Sequence, residues 1–171
     1  MPMKYTVFFD KEKCRGYVAS NEQANDLEKR WYGRREAGKL SLDIVELAYL
    51  LLRKQLVIMD LKKIEDLNSF LNNYYFCLEE FFWPRLIVYK DLRDRGRRVK
   101  VLDQDKFIVK DKYGDLRLVV VLEEGSMRRI TSISEHIDKA MDNNLKLVYA
   151  IVSLQGDLTY YEVTKIKPKR D

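Results

Sequence analysis

The sequence predicts an α/β protein, more narrowly an α+β one, in which a small N-terminal α/β domain precedes a C-terminal mixed β-sheet with flanking helices. Strand-like segments rich in aromatic and β-branched residues occur in both halves. Between them lie segments with apolar residues at helical spacing. Leu116–Leu122 is nearly all apolar, which is typical of a central strand buried on both faces. The 171 residues suit one ordinary domain or two small ones, and we place the boundary before Trp83, giving domains 1–82 and 83–171.

The N-terminal half is expected to begin with a strand over residues 4–9 and to continue with a short helix over residues 24–31, which glycines then interrupt. Residues 41–53 predict a strong helix, since Ser41 can cap its start and the apolar residues recur at i, i+3, i+4, i+7. A second long helix is expected over residues 61–78. Its buried side would carry Ile64, Leu67, Leu71, Tyr74, Tyr75 and Leu78.

The C-terminal half is expected to form a small mixed sheet with one helix crossing over it. A helix over Pro84–Arg95 should end at Gly96, because glycine readily takes the left-handed conformation after a helix. Ser132 and Glu135 match a capping box and predict the start of the crossover helix. Strands are expected over residues 99–102, 106–110, 116–122, 146–153 and 158–164, the last pairing back as a hairpin.

The composition excludes several classes of protein. Hydrophobic residues make up 46% of the chain, so disorder is excluded, and no apolar run approaches the roughly 20 residues of a membrane span. Charged residues interrupt the start of the chain, where a signal peptide would be apolar. Two cysteines are too few for a disulfide framework or a zinc site, which predicts the reducing cytoplasm as the location.

The net charge of +5 is mild, so its meaning depends on clustering. Basic clusters occur over residues 93–100, at Arg128-Arg129 and in the tail 165–170. They are either solvated surface or contacts to nucleic-acid phosphates. The candidates for RNA binding are Arg93, Arg95, Arg97, Arg98 and Lys100.

Several familiar catalytic patterns are absent from the sequence. There is no glycine-rich phosphate loop, and Glu162-Val163-Thr164-Lys165 has the wrong spacing for a magnesium-dependent nuclease. We therefore expect no metal and no cofactor. The single histidine, His136, lies beside the apolar stripe of its predicted helix, which indicates a surface position.

Three ordered stretches carry a resemblance to a known family. They are Trp31-Tyr32-Gly33 with the helix segment 40–50, then residues 89–100, and finally the strand segments 146–152 and 156–163. Together they resemble the archaeal tRNA-splicing endonuclease family, over roughly residues 27–54 and 86–163. The resemblance implies the fold of that family, with a nuclease-like sheet in the C-terminal half.

The resemblance also implies a mechanism. Family members remove introns from precursor tRNA without a metal and leave a 2′,3′-cyclic phosphate. A tyrosine deprotonates the attacking 2′-hydroxyl, a histidine protonates the leaving oxygen and a lysine stabilises the transition state. Lys146 stands at the lysine position, but Lys110 stands where the tyrosine is expected and Gly114 where the histidine is expected.

Because one of three positions is kept, the resemblance implies a structural subunit of an α2β2 heterotetramer that supports a catalytic partner on precursor tRNA. Two alternatives stay open: an active nuclease with a relocated site of Lys146, Tyr113 and Lys110, and a stand-alone RNA-binding module. The implied subunit interfaces are an acidic loop, with Glu123 where the family often has proline, and the edge of the last strand. Their residues are Leu122, Glu123, Glu124 and Gly125, and Leu158, Thr159, Tyr160, Tyr161, Glu162 and Val163.

Overall fold

The computed structural model describes residues 4–125 and 130–164, without the side chains of residues 130 and 131. The basic pair Arg128-Arg129 and the basic tail 165–170 therefore lie outside the described residues. The chain divides into two units between Lys90 and Asp91, within a helix, and each unit contains one sheet.

The first unit contains a six-stranded mixed sheet, which confirms the predicted mixture of helices and strands. The strand order is β3-β4-β2-β1-β5-β6, with β1 antiparallel to β2 and parallel to β5. Its elements are β1 (Tyr5–Asp10), β2 (Arg15–Val18), α1 (Asn21–Lys29), β3 (Arg34–Glu36), β4 (Lys39–Leu42), α2 (Ile44–Leu52), β5 (Leu56–Met59), β6 (Lys63–Ile64), α3 (Leu67–Asn73) and a 3₁₀ helix at Tyr75–Cys77.

Gly38, one of the glycines after α1, belongs to a hairpin rather than to a simple break. Glu36 of β3 pairs with Lys39 of β4, and the two residues between them, Ala37 and Gly38, have φ values of 48° and 80°. A two-residue loop with positive φ at both positions matches the right-handed twist of the strands it joins. The sequence pattern did not predict β3 and β4 because both are short, β3 is polar, and the end of β4 overlaps the start of the helix predicted over residues 41–53.

The helix α2 begins later than predicted. Ser41 is buried in β4, and Asp43 is the N-cap: its side chain accepts a bond from the Val45 N–H, while the Glu46 carboxylate accepts one from the Asp43 N–H at 2.9 Å. This reciprocal pair is a capping box. The prediction of Ser41 as the cap was wrong because the strand β4 takes Ser41 first.

Gly33 links the two N-terminal segments that carry the family resemblance, Trp31-Tyr32-Gly33 and residues 40–50. Its N–H donates to Oε2 of the buried Glu46 at 2.6 Å, and its φ is +69°. A Cβ at this position would lie 2.7 Å from the carbonyl oxygen of Ser41. A glycine is therefore required both by conformation and by space.

The predicted long helix over residues 61–78 was wrong. The segment contains β6, the short helix α3 and the 3₁₀ helix, because the Asp66 side chain accepts a bond from the Ser69 N–H at 2.8 Å and starts a new helix there. Tyr74 is fully buried, whereas Tyr75 is 72% exposed. The aromatic residues thus do not form one continuous buried stripe.

A disulfide joins Cys14, in the turn between β1 and β2, to Cys77 at the end of the 3₁₀ helix. Two cysteines make no framework of disulfides, as expected, but they do form this single bond, which the sequence pattern did not predict. The residues are 63 positions apart in sequence, and only the folded unit brings their Cα atoms to 5.5 Å. The two cysteines therefore do not indicate a reducing compartment.

The second unit contains the predicted mixed sheet, with the apolar strand at its centre. The order is β11-β10-β9-β8-β7, in which β9 and β10 are parallel and joined by α5, and the other neighbours are antiparallel. Gly96, with φ +79°, ends α4 as predicted. The elements are α4 (Phe82–Asp94, which begins in the first unit), β7 (Arg98–Asp103), β8 (Lys106–Lys110), β9 (Leu116–Glu123), α5 (Ile130–Asp142), β10 (Lys146–Val152) and β11 (Leu158–Val163).

The helix α5 covers one face of this sheet. It begins at Ile130, so Ser132 lies inside the helix and the predicted capping box there was wrong. Its apolar side packs on alternate residues of β9 and β10, which define the α5 face of the sheet. The buried cluster on that face is Leu118, Val120, Ala140, Leu147 and Tyr149.

Candidate functional site

The sheet of the second unit brings the three family positions to one end. Lys110 is the last residue of β8 and pairs with Leu116, while Lys146 begins β10 and pairs with Arg117. The turn containing Gly114 joins β8 to β9 at this same end. An ideal Cβ on Gly114 would lie 3.9 Å from Cε of Lys110, so these two positions are neighbours.

Asp111 organises the turn in which the family histidine is expected. Its carboxylate accepts bonds from the N–H groups of Tyr113 and Asp115, at 2.9 and 3.0 Å, and pairs with the Arg117 guanidinium at 3.1 Å. Burial raises the pKa of Asp111, but the two N–H bonds and the nearby Arg117 and Arg97 charges outweigh burial and lower that pKa. The turn is thus held by a buried carboxylate that stays ionised.

Beside this turn lies a cavity of about 170 Å³, which we call the arginine cavity. It opens on the face of the sheet opposite α5, because Val119 and Val148 line it while Leu118 and Leu147 pack under α5. Lys146 lies on this same face, since it pairs in register with Arg117. The lining residues are Leu92, Arg95, Arg97, Val109, Arg117, Val119, Val148 and Tyr160.

Tyr160 closes the cavity through a polar cluster. Its hydroxyl donates to Asp91 at 2.6 Å, Arg95 pairs with the same carboxylate at 3.0 Å, and the Arg95 guanidinium lies 5.8 Å from the centre of the Tyr160 ring. Burial, and then the bond to Asp91, raise the pKa of Tyr160 well above its usual value. This phenol therefore stays protonated and is a poor general base.

The basic residues of segment 93–100 do not share one surface. Arg93 donates to the carbonyl of Val99 at 2.8 Å and so fixes the connection between α4 and β7. Lys100 pairs with Ile108, which packs on the α5 core, so strand alternation places Arg98 and Lys100 on the α5 face. Arg93, Arg98 and Lys100 therefore do not line the arginine cavity. Of the five residues predicted to bind RNA, Arg95 and Arg97 line that cavity.

Sequence reasoning missed Arg117. The signal was present, since this arginine is the one charged residue in the apolar run that forms the centre of the sheet. A charge in a central strand requires a partner or a polar cavity. Its partner, Asp111, and its cavity both depend on the antiparallel register of β8 and β9.

His136 lies on the face of the sheet opposite Lys146. Its Nδ1 is 3.0 Å from the hydroxyl of Tyr149, and Tyr149 belongs to the cluster on the α5 face. Lys146 is on the opposite face by strand alternation. The imidazole and the Lys146 ammonium therefore point to different sides of the sheet.

Of the two segments expected at subunit interfaces, β11 forms an edge of the sheet and the acidic loop lies beside the turn that leads into β11. The strand β11 is the edge of the sheet, and the Tyr161 side chain is 54% exposed. The acidic loop is tied to the neighbouring turn, because the Glu124 N–H donates to Val152 and the Glu124 carboxylate accepts from the Leu154 N–H. These two bonds hold Glu124 against the turn that follows β10.

The part of the chain that the structure describes contains no group of three metal-ligating side chains and no helix that is long and apolar enough to cross a membrane.

Comparison with known proteins identifies the family. The model of the tRNA intron endonuclease N-terminal domain matches residues 9–71, and the model of the tRNA intron endonuclease catalytic C-terminal domain matches residues 82–160. These matches and the fold place the chain in a class of nucleases that act in RNA splicing. The chain belongs to the tRNA intron endonuclease family, whose function is the cleavage of introns in tRNA.

Individual relatives agree with this assignment. The tRNA-splicing endonuclease of Thermococcus kodakarensis is 32% identical over 145 residues, covering 81% of this chain and 85% of the relative. That of Pyrococcus horikoshii is 31% identical over 173 residues, covering 96% and 99%. That of Methanosarcina mazei is 29% identical over 158 residues, and the match spans 89% of this chain and 44% of that longer protein.

Proposed function

We propose that this chain is the structural subunit of a tRNA-splicing endonuclease and supports a catalytic partner in an α2β2 heterotetramer acting on precursor tRNA. The observation that carries the proposal is the pair Lys110 and Gly114 at the end of the sheet where the family resemblance expects tyrosine and histidine. A lysine ammonium stabilises negative charge but does not replace both the base and the acid of a cyclising cleavage.

The alternative of a relocated active site has weak support in the geometry. Tyr113 is 79% exposed, with its ring 5.0 Å from the Lys112 ammonium, so it lies in solvent rather than in an enclosed site. No imidazole other than His136 exists in the chain. The acid step would thus lack a group suited to neutral pH.

For a structural subunit, the arginine cavity offers a contact to the RNA backbone. Its lining combines three arginines with aliphatic side chains, and Lys146 lies on the same face of the sheet. Arginine binds phosphate through two parallel N–H bonds, which suits a backbone contact without sequence preference.

We expect Arg97→Gln to weaken precursor-tRNA binding by the assembled enzyme and to reduce the slope of log K against log[salt] by about 0.7 to 0.9, the value of one phosphate contact. Fluorescence anisotropy measures the affinity and its salt dependence. The titrations run from roughly 50 to 200 mM salt, the range over which phosphate contacts are lost. Arg53→Gln, a change at an exposed arginine of the first unit, is the matched control and should leave the slope unchanged.

The edge strand β11 is the proposed surface for pairing with another subunit. An unpaired strand edge presents backbone N–H and C=O groups that another strand can bond. Thr159 and Tyr161 have exposed side chains there, whereas the Tyr160 hydroxyl is bonded to Asp91 within the unit. Charged residues at the exposed positions should oppose pairing.

This surface gives the test of the proposal. Native mass spectrometry of the chain with the catalytic family member of its own organism should detect an α2β2 assembly, and Thr159→Lys with Tyr161→Lys should weaken it at least about tenfold, roughly 1.4 kcal/mol. Tyr113→Lys, at another exposed tyrosine, is the control. A chain that stays monomeric beside every such partner would contradict the proposal and favour the stand-alone RNA-binding module.

A further inference from the structure

A second cavity with a cationic lining lies in the first unit, beside the disulfide. Its volume is about 300 Å³, and its walls include both cysteines of the Cys14–Cys77 bond. Four cationic side chains line it, together with two carboxylates, those of Asp43 and Glu79. The cations are Lys13, Arg15, Arg34 and Arg85. No step of the proposed function uses this cavity.

Arg85 is the feature that distinguishes this cavity from a solvated basic surface. Its side chain is 5% exposed, and one terminal nitrogen pairs with Oδ1 of Asp43 at 3.1 Å. Its Nε is buried and is the one such side-chain atom without a hydrogen-bond partner among the residues described. A guanidinium has five N–H donors in a fixed planar fork, and a buried one left with few acceptors is costly.

The carboxylates at the cavity already have other bonds. Asp43 caps α2 by accepting from the Val45 N–H at 2.9 Å, and its second oxygen lies 3.8 Å from Arg15. Arg34 pairs with Glu36 at 2.7 Å but keeps 65% of its side chain exposed at the mouth of the cavity. The lining therefore retains a surplus of positive charge and of N–H donors.

We infer that this cavity binds an oxyanion of the phosphate class. Guanidinium groups match the oxygen spacing of phosphate and bind it through charge-assisted hydrogen bonds, and a volume of about 300 Å³ accommodates one phosphate or pyrophosphate group with water. The shared chemistry is the tetrahedral phosphate. Its source is either a free phosphate or a phosphodiester of bound RNA, and the site goes beyond the catalytic and assembly roles proposed above.

The test is isothermal titration of the oxidised full chain with inorganic phosphate and with pyrophosphate, accompanied by NMR of the arginine Nε–H groups. We expect saturable binding of one anion per chain and a shift of the Arg85 Nε–H signal. Arg34→Gln should weaken binding about tenfold, because it removes one charge-assisted contact from an exposed side chain. Arg53→Gln, which lies outside the cavity, is the control.

A second set of measurements identifies the source of the phosphate and includes a variant whose folding is checked. If RNA supplies the group, Arg34→Gln also weakens binding of a short single-stranded RNA, and pyrophosphate competes with that RNA; if the anion is free, RNA binding is unchanged. Arg85→Lys, checked by thermal melting, keeps the charge but removes the Nε–H and should weaken pyrophosphate more than Arg34→Gln does. Absence of saturable binding to wild type, or equal losses in Arg34→Gln and Arg53→Gln, would overturn the inference.

Discussion

The purified chain alone is expected to cleave intron-containing precursor tRNA at least about 10⁴-fold more slowly than an active family member. General acid and general base groups each contribute roughly 10²- to 10⁴-fold to such a reaction, and the sheet end that should present them carries Lys110 and Gly114. Single-turnover cleavage with excess protein, with detection of the 2′,3′-cyclic phosphate end, measures the rate of the chemical step. Adding the catalytic partner should restore cleavage.

Cleavage by the chain alone would contradict this expectation. If the chain alone cleaves at a normal family rate, the structural-subunit proposal is wrong, and Tyr113→Phe then tests the relocated site. A loss of activity in Tyr113→Phe but not in His136→Ala would indicate that the exposed phenol takes part. His136 is the suitable comparison because its ring bonds Tyr149 on the α5 face, away from the Lys146 side of the sheet.

The C-terminal half was the more predictable part of the fold. The apolar run at β9, the alternation in β8 and the turn before β11 are local patterns, and each matches the structure closely. In the first unit, β3, β4 and β6 contain two to four residues with mixed polarity, so hydrophobic periodicity carries little information about them. Their pairing depends on the hairpin at Ala37-Gly38 and on β1, which a local window does not contain.

The candidate site was predictable in position but not in composition. The predicted strands 106–110 and 146–153 end at Lys110 and begin next to Lys146, and the register then brings both positions and the Gly114 turn to one end of the sheet. The arginine cavity was not predictable, because Arg95, Arg117 and Tyr160 come from three separate segments that meet only after folding. Charge density along the sequence pointed to Arg95 and Arg97 of this cavity but equally to Arg98 and Lys100, which strand alternation places on the other face.

Removal of the Cys14–Cys77 disulfide is expected to lower the free energy of unfolding by about 2 to 4 kcal/mol. The bond closes a loop over a sequence separation of 63 residues, and a cross-link of that span restricts the unfolded chain strongly. The variant Cys14→Ala with Cys77→Ala avoids both a free thiol and a buried serine hydroxyl, since Cys77 is 6% exposed. Urea unfolding of this variant, of oxidised wild type and of wild type in excess reductant provides the comparison.

The m-value, the slope of the unfolding free energy against urea concentration, distinguishes two physical origins of the lost stability. A cross-link that acts on the unfolded state keeps that state compact, so removing it exposes more surface on unfolding and should raise the m-value together with the drop in stability. A loss confined to packing around Cys77 in the folded unit would lower stability at constant m. Reduced wild type should unfold like the double alanine variant, and reductant should leave that variant unchanged. Equal stability of oxidised and reduced wild type would show that the bond between the β1–β2 turn and the 3₁₀ helix contributes nothing.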